Sequence, residues 1–362
     1  MYLIKLIDRT RQKEIANMII DKKTSLRMRG IGILLICLHN LLHLDTDVLE
    51  CEFEFYEERA LRFVGGLNDG FWKVTEYCFS YMGWYGVTIF LFLSGYGLAC
   101  KYEAAEGTLK PWPYLCHHFK KLLLLLLPAY FFFILDYFPK GIMSAGDIIA
   151  QLTLTINLFD ARAITPGIYW YFGVAMQLYI FYLLFYYKRS ENLLLVLSAL
   201  SLLAGCYFAC NEQLSEAHYQ IRHNFPLWLS VFTFGIWMAR HSSTPLLRKM
   251  NQHWLLSVAG LTLLWLLSSV WSWLWVLSPL FAVSATLLLS RHCKSGAIAW
   301  VGGISAGIFV CHPILRMFAL KGFEHGMNRL LVCSLYVALS ILTGWIYTHL
   351  YKKASRKTEA RQ

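Results

Sequence analysis

The chain has 362 residues, 57% of them hydrophobic and only 15% charged, with a formal net charge of +11. Soluble domains carry roughly 25% charged residues, so a soluble enzyme or binding module is excluded. The basic residues are not gathered on one stretch, as a nucleic-acid surface would need. They fall at the ends of apolar runs (Lys22-Lys23 with Arg27 and Arg29, Lys120-Lys121, Lys188-Arg189, Arg240 with Arg248-Lys249, Lys352-Lys353), which is the pattern of membrane topology.

In chain order, residues 1–26 are mixed and charged and read as a cytoplasmic, interfacial segment with no cleavable signal peptide. A first apolar span covers about 28–44. An acidic loop follows, carrying Asp45, Asp47, Glu50, Glu52, Glu54, Glu57 and Glu58. Further spans are read at about 78–98 and 122–138. The stretch 148–159 is too short to cross a bilayer and is read as re-entrant or interfacial. Spans then follow at about 168–187, 193–209, 225–239, 255–270, 273–289, 298–320 and 330–350. This gives an all-α polytopic membrane bundle of about ten transmembrane helices with both termini cytoplasmic. Counting ten places every basic cluster on the cytoplasmic side; counting 148–159 as well would put Lys188-Arg189 and Lys352-Lys353 outside. The membrane domain is taken as 27–351 and the basic tail as 352–362. Ten cysteines are scattered without a CxxC pair, so neither a zinc site nor a redox pair is expected from them.

One titratable residue stands out. His39 lies inside the run Leu34-Leu35-Ile36-Cys37-Leu38-His39-Asn40-Leu41-Leu42. An ionisable group at membrane depth is costly and points to chemistry or transport. Histidine is the side chain whose ordinary pKa suits a general base near neutral pH. The bland alternative is a histidine hydrogen-bonded to a neighbouring helix. His43 lies one turn further on, but no third ligand follows in sequence, so no metal is expected.

Four segments together resemble the acyltransferase-3 family of integral membrane O-acyltransferases. They are Arg29-Gly30-Ile31-Gly32-Ile33 through His39; Gly86-Val87-Thr88-Ile89-Phe90-Leu91-Phe92-Leu93-Ser94-Gly95-Tyr96; Lys120-Lys121 followed by leucines and Pro128-Ala129-Tyr130; and Val301-Gly302-Gly303-Ile304-Ser305 through His312-Pro313. The stretch from Trp170 to Tyr182, with Gln177 and Tyr179, is similar to a fifth family segment. The chain departs from the family in three places. The family's arginine, ten residues, histidine spacing places Asn40 in the histidine slot, with His39 one residue early. Ala175-Met176 occupies the position of a family glutamate. Leu125 stands where the family often has arginine.

The resemblance implies transfer of an acyl group, usually acetyl, from cytoplasmic acyl-CoA to a hydroxyl of a cell-envelope glycan or lipid-linked sugar. It implies an inner-membrane enzyme with acyl-CoA as co-substrate and no permanently bound cofactor. Its partners would be acyl-CoA, the glycan and membrane lipids, and no nucleic acid. His39 would be the general base. Arg29, Lys120 and Lys121 would bind the donor phosphates, arginine through paired hydrogen bonds; Arg27 is a weaker candidate. Ser94, Trp170, Gln177 and His312 would line the cavity and meet the acceptor. For each there is an ordinary reading: membrane anchoring for the basic residues, close packing for Ser94-Gly95, interfacial anchoring for Trp170. A sugar transporter without acyl transfer, and a structural subunit of a polysaccharide-synthesis complex, remain as alternatives.

Overall fold

The computed structural model describes residues 20–104, 107–241 and 244–359. Most of the expected N-terminal segment, 1–19, and the last three residues of the tail lie outside the described residues. Among the described residues there are eighteen α-helices and no β-strand. They are α1 (Lys22–Leu42), α2 (Glu57–Gly66), α3 (Phe71–Met82), α4 (Tyr85–Leu98), α5 (Pro111–Tyr137), α6 (Ala145–Leu152), α7 (Ile156–Phe159), α8 (Trp170–Phe181), α9 (Glu191–Ala209), α10 (Ser215–Arg222), α11 (Leu229–Arg240), α12 (Pro245–Gln252), α13 (Trp254–Ser269), α14 (Ser272–Trp275), α15 (Ser278–His292), α16 (Gly296–Gly303), α17 (Ser305–Glu324) and α18 (Arg329–Glu359).

Each of the ten apolar stretches is helical, but they differ in reach. Six described helices are long and apolar enough to cross a membrane: Lys22–Leu42, Pro111–Tyr137, Gly167–Tyr186, Glu191–Ala209, Ser305–Glu324 and Arg329–Lys353. A seventh crossing needs Phe71–Met82 and Tyr85–Glu103 together, bent by 42° at their junction. The remaining three stretches hold α11, α13 and α15, of 12, 16 and 15 residues. At 1.5 Å per residue these are shorter than the ~30 Å hydrocarbon core. The 148–159 stretch breaks into the short α6 and α7. A reciprocal Ser144–Asp147 capping box starts α6, and the buried Asn157 of α7 ties to the carbonyls of Trp170 at 2.9 Å and His223 at 2.6 Å.

α1 is the hub. It starts at Asp21, whose side chain accepts from the Thr24 amide at 2.6 Å, and it packs on α3, α4, α15, α16, α17 and α18. Its apolar flank repeats glycine at Gly30 and Gly32, so neighbouring backbones come into direct contact. A Cβ at Gly302 of α16 would lie 1.8 Å from the Leu26 carbonyl oxygen, and one at Gly30 would lie 2.1 Å from that of Ile298. On the α4 side, a Cβ at Gly86 would lie 2.3 Å from the Gly32 carbonyl oxygen. Small residues at such crossings let helices associate in a membrane, where no hydrophobic drive exists between them.

Two proline breaks are tied off by tyrosines. Pro313 lies inside α17 and Pro128 inside α5; each removes a backbone donor from its helix. Tyr169 donates to the Val310 carbonyl at 2.8 Å, and Tyr347 to the Leu125 carbonyl at 2.6 Å. Both acceptors lie in the turn that the proline loosens.

Gly302→Val should cost about 3 kcal/mol or more, because the obstructing atom is backbone and cannot step aside. Gly260→Ala, on the exposed face of α13 where a Cβ meets nothing within 4 Å, should cost nothing. Thermal unfolding of the two purified variants tests this; equal melting temperatures would remove the close-contact argument.

Candidate functional site

His39 sits in the last turn of α1 and is 3% exposed. Its Nδ1 lies 2.8 Å from the Ser80 carbonyl of α3. A carbonyl only accepts, so Nδ1 carries the proton and Nε2 is left as the proton acceptor. Nε2 faces the Glu52 carboxylate, 3.7 Å from Oε2. The neighbouring ring of His43 stacks on His39 with centroids 4.7 Å apart and planes at 15°. Its Nδ1 is likewise committed to a carbonyl, that of His39, at 2.8 Å.

The register question has a direct answer. α1 is continuous through Leu42 with no bulge, and His39, not Asn40, faces the carboxylates. Asn40 points elsewhere: its amide donates to the Ile36 carbonyl at 2.9 Å, and its oxygens accept from Arg316 of α17 at 3.2 and 3.3 Å. Asn40 therefore braces α1 against α17.

The acidic loop, 43–56, folds back over His39 and is clamped along its length. The Val48 carbonyl accepts from Ser80 Oγ at 2.6 Å, and the Glu50 carbonyl from Arg59 at 2.9 Å. Cys51 lies buried beside the Tyr81 hydroxyl. The Glu52 carbonyl accepts from Arg222 Nε at 2.9 Å. Phe53 stacks on His223 with centroids 3.7 Å apart and meets Trp170 edge-on. The Arg222 guanidinium is boxed by Trp228, Trp275 and Trp84 at 3.9, 4.4 and 5.5 Å from their ring centroids, a cation–π enclosure. Its charge also acts on the Glu52 carboxylate.

Glu50 and Glu52 are pushed in opposite directions. Burial holds the Glu52 carboxyl above the usual carboxylate range, only partly offset by His39 and Arg222. Burial also opposes ionisation of Glu50, but the adjacent His43 and His39 outweigh it, and Glu50 is held below that range. Burial and the neighbouring charges thus drive two nearby carboxyls apart.

Neither Glu52 nor Arg222 was singled out from the sequence. Seven acidic residues in one loop look alike. The available signal was the apolar side chains interleaved with them, Val48, Cys51, Phe53 and Phe55, all of which the fold buries or half-buries.

A second group lies toward the other end of α1. Arg29 is ten residues before His39, about 15 Å along the helix axis. Its charge acts on Lys121 of α5 together with that of Lys101, and it also acts on the phenols of Tyr171 and Tyr179. Both phenols also lie near the Ser94 hydroxyl. Arg29, Lys121 and Ser94 are thus brought together. Lys120, 100° round its helix, is exposed and shares no described contact with them. Arg27 is buried and bonds Thr24 at 3.1 Å.

The other named residues serve the frame. Trp170 is buried and stacked on Trp228, centroids 5.3 Å apart, as a wall behind Phe53. Gln177 donates to Asn224 at 2.8 Å and accepts from the Phe225 amide at 3.0 Å, bracing the entry to α11. His312 is fully buried with Nδ1 against the Ile308 carbonyl at 3.1 Å and Nε2 without a partner. No described contact joins it to His39.

Burial first, then the nearby Arg222 and Arg162 charges, push the His223 imidazole from its ordinary 6.5 down to about 4. The unfolded chain takes up a proton there near pH 6.5, and the folded chain resists until about pH 4. Stability should therefore fall as pH drops through that window, by on the order of 2 to 3 kcal/mol from this group. His223→Phe, which keeps the stack on Phe53, should flatten the difference in melting temperature between pH 7.5 and 4.5. An undiminished difference in the variant would remove His223 as its source.

The sequence profile of the acyltransferase domain family, acyltransferase 3, matches residues 27–349. No curated protein and no solved structure matches the chain. The matched stretch contains most of α1 with His39, the clamped acidic loop, the Ser94 group and the glycine-packed α16 and α17. With nearly its whole length covered, this multi-pass membrane protein belongs to the acyltransferase-3 family and is a membrane acyltransferase.

Proposed function

We propose that the protein transfers an acyl group, in practice acetyl, from acyl-CoA to a hydroxyl of a cell-envelope glycan or lipid-linked sugar. The observation that carries this is the His39 arrangement: Nδ1–H fixed on the Ser80 carbonyl, and Nε2 buried and free beside Glu52. A histidine whose Nδ1–H is held by a carbonyl, with Nε2 left as acceptor, is suited to general-base catalysis.

In this reading the acceptor hydroxyl gives its proton to His39 Nε2 as its oxygen attacks the thioester carbonyl. Glu52 stabilises the resulting imidazolium. The tetrahedral intermediate collapses, the carbon–sulfur bond breaks, and His39 returns the proton to the leaving sulfur. The products are the ester and free coenzyme A, so atoms and protons balance. Arg29 and Lys121, with Lys101, hold the donor phosphates, and the flexible pantetheine arm reaches along α1 toward His39. Ser94 with Tyr171 and Tyr179 forms the polar wall of that path. The charge pattern supports a cytoplasmic basic end and an outer acidic loop, in the inner membrane of the envelope. The donor would then enter from one side and the glycan meet His39 from the other.

Purified protein supplied with acetyl-CoA and envelope glycan should release free thiol. His39→Ala should lower that rate at least 100-fold, a loss typical of a general base, and Glu52→Gln should lower it by roughly tenfold or more. Wild-type rates in His39→Ala would reject the base. Arg29→Ala and Lys121→Ala should each raise KM for acetyl-CoA roughly tenfold, the scale of one charge-assisted contact, with a smaller effect on kcat. Mass analysis of envelope glycans from cells with and without the protein should show a difference of one acetyl group per modified hydroxyl. Unchanged glycans would reject the acceptor class.

A further inference from the structure

His39 and His43 each commit Nδ1 to a backbone carbonyl, of Ser80 and of His39 respectively, both at 2.8 Å. That leaves two Nε2 atoms on nearly parallel stacked rings. Metal-ligating histidines are oriented in this way, with the non-ligating N–H held by a carbonyl or carboxylate. Glu50 is brought to the same place by the loop. Its Oε2 is buried with no hydrogen-bond partner, an arrangement that costs free energy unless something fills it. The candidate ligand atoms of His39, His43 and Glu50 all lie within 4.8 Å of one another. A second carboxylate, Glu52, stands 3.7 Å from His39 Nε2.

We propose that His39, His43 and Glu50 form a zinc(II) site whose occupation takes the lone pair of His39 and so switches off acyl transfer. Two imidazoles and one carboxylate, with one position open, are a donor set that suits zinc. Two carboxylates beside the imidazole pair also supply the charge that balances a dication. Zinc bonds of about 2.0–2.2 Å require the three side chains to close inward by on the order of 1 Å and the His43 ring to tilt out of its stack on His39 so that the two lone pairs converge; His43 and Glu50 are only half-buried and have room to do so. Metal binding stands on the geometry alone. The switching-off rests on the reading of His39 as the base.

The test uses the full-length protein in detergent, stripped with chelator. Titration with CoCl2 should give one equivalent of visible d–d absorption, and ZnCl2 should displace it at micromolar concentration. His43→Ala and Glu50→Gln should each weaken binding by at least about tenfold. Thiol release by the wild type should stop when the site fills, and that of His43→Ala should be the same with and without zinc at that concentration. Absence of one-equivalent binding, or equal affinity in His43→Ala, would overturn the site and leave the base reading untouched. Binding that is lost in His43→Ala but leaves the wild-type rate unchanged, or raises it, would overturn the switching-off and the role of His39 with it.

Discussion

The backbone contact between α1 and its neighbours is the constraint on which the rest depends. In water, apolar side chains would drive such a helix into a core. In lipid that drive vanishes, and what remains is close packing and hydrogen bonding. Gly30, Gly32, Gly86 and Gly302 let peptide groups touch where any side chain would collide. Gly83 does the same at the functional end, where a Cβ would lie 2.6 Å from that of His39. The junction between α3 and α4 therefore presses directly on the turn that carries His39. The Ser80 carbonyl, three residues earlier, reaches the imidazole for the same reason.

A second layer of control comes from the loop. Burying Glu52 and His39 together removes both from water, which is expensive unless each finds a partner. The structure meets that cost from far along the chain. Arg222 and His223 arrive from the α10 end, and Trp84, Trp228 and Trp275 keep the arginine charge dry and confined. Side chains from four separate stretches thus hold one carboxylate 3.7 Å from one imidazole nitrogen. Such preorganisation is what lets an active site act without rearranging at the moment of reaction.

The helical bundle was legible because its signal is additive: long apolar runs, basic ends, small residues at intervals. His39 was legible because a histidine in such a run is rare. The partner of His39 was not, because Glu52 differs from its acidic neighbours only in what folds over it, and the residues that do so lie about 170 positions away. Trp170 and Gln177 show the reverse problem. Their residue types suit a sugar site, yet local geometry commits both to bracing, Trp170 against Trp228 and Gln177 against the turn at Phe225. The apparent slip between His39 and Asn40 was likewise undecidable from spacing, since a rotation of 100° about the axis has meaning only once the surroundings of α1 are known.

The glycine contacts also bear on how matter crosses this membrane. Alternating-access carriers rock one half of a bundle against the other about a central site. A helix whose backbone abuts α4 on one flank and α16 on another can move only together with them. In the proposed transfer His39 is a fixed post, to which the two reactants travel from opposite faces. On the proposed reading, what crosses the bilayer is the acyl group alone, carried over on the end of a flexible arm, while the glycan stays on its own side.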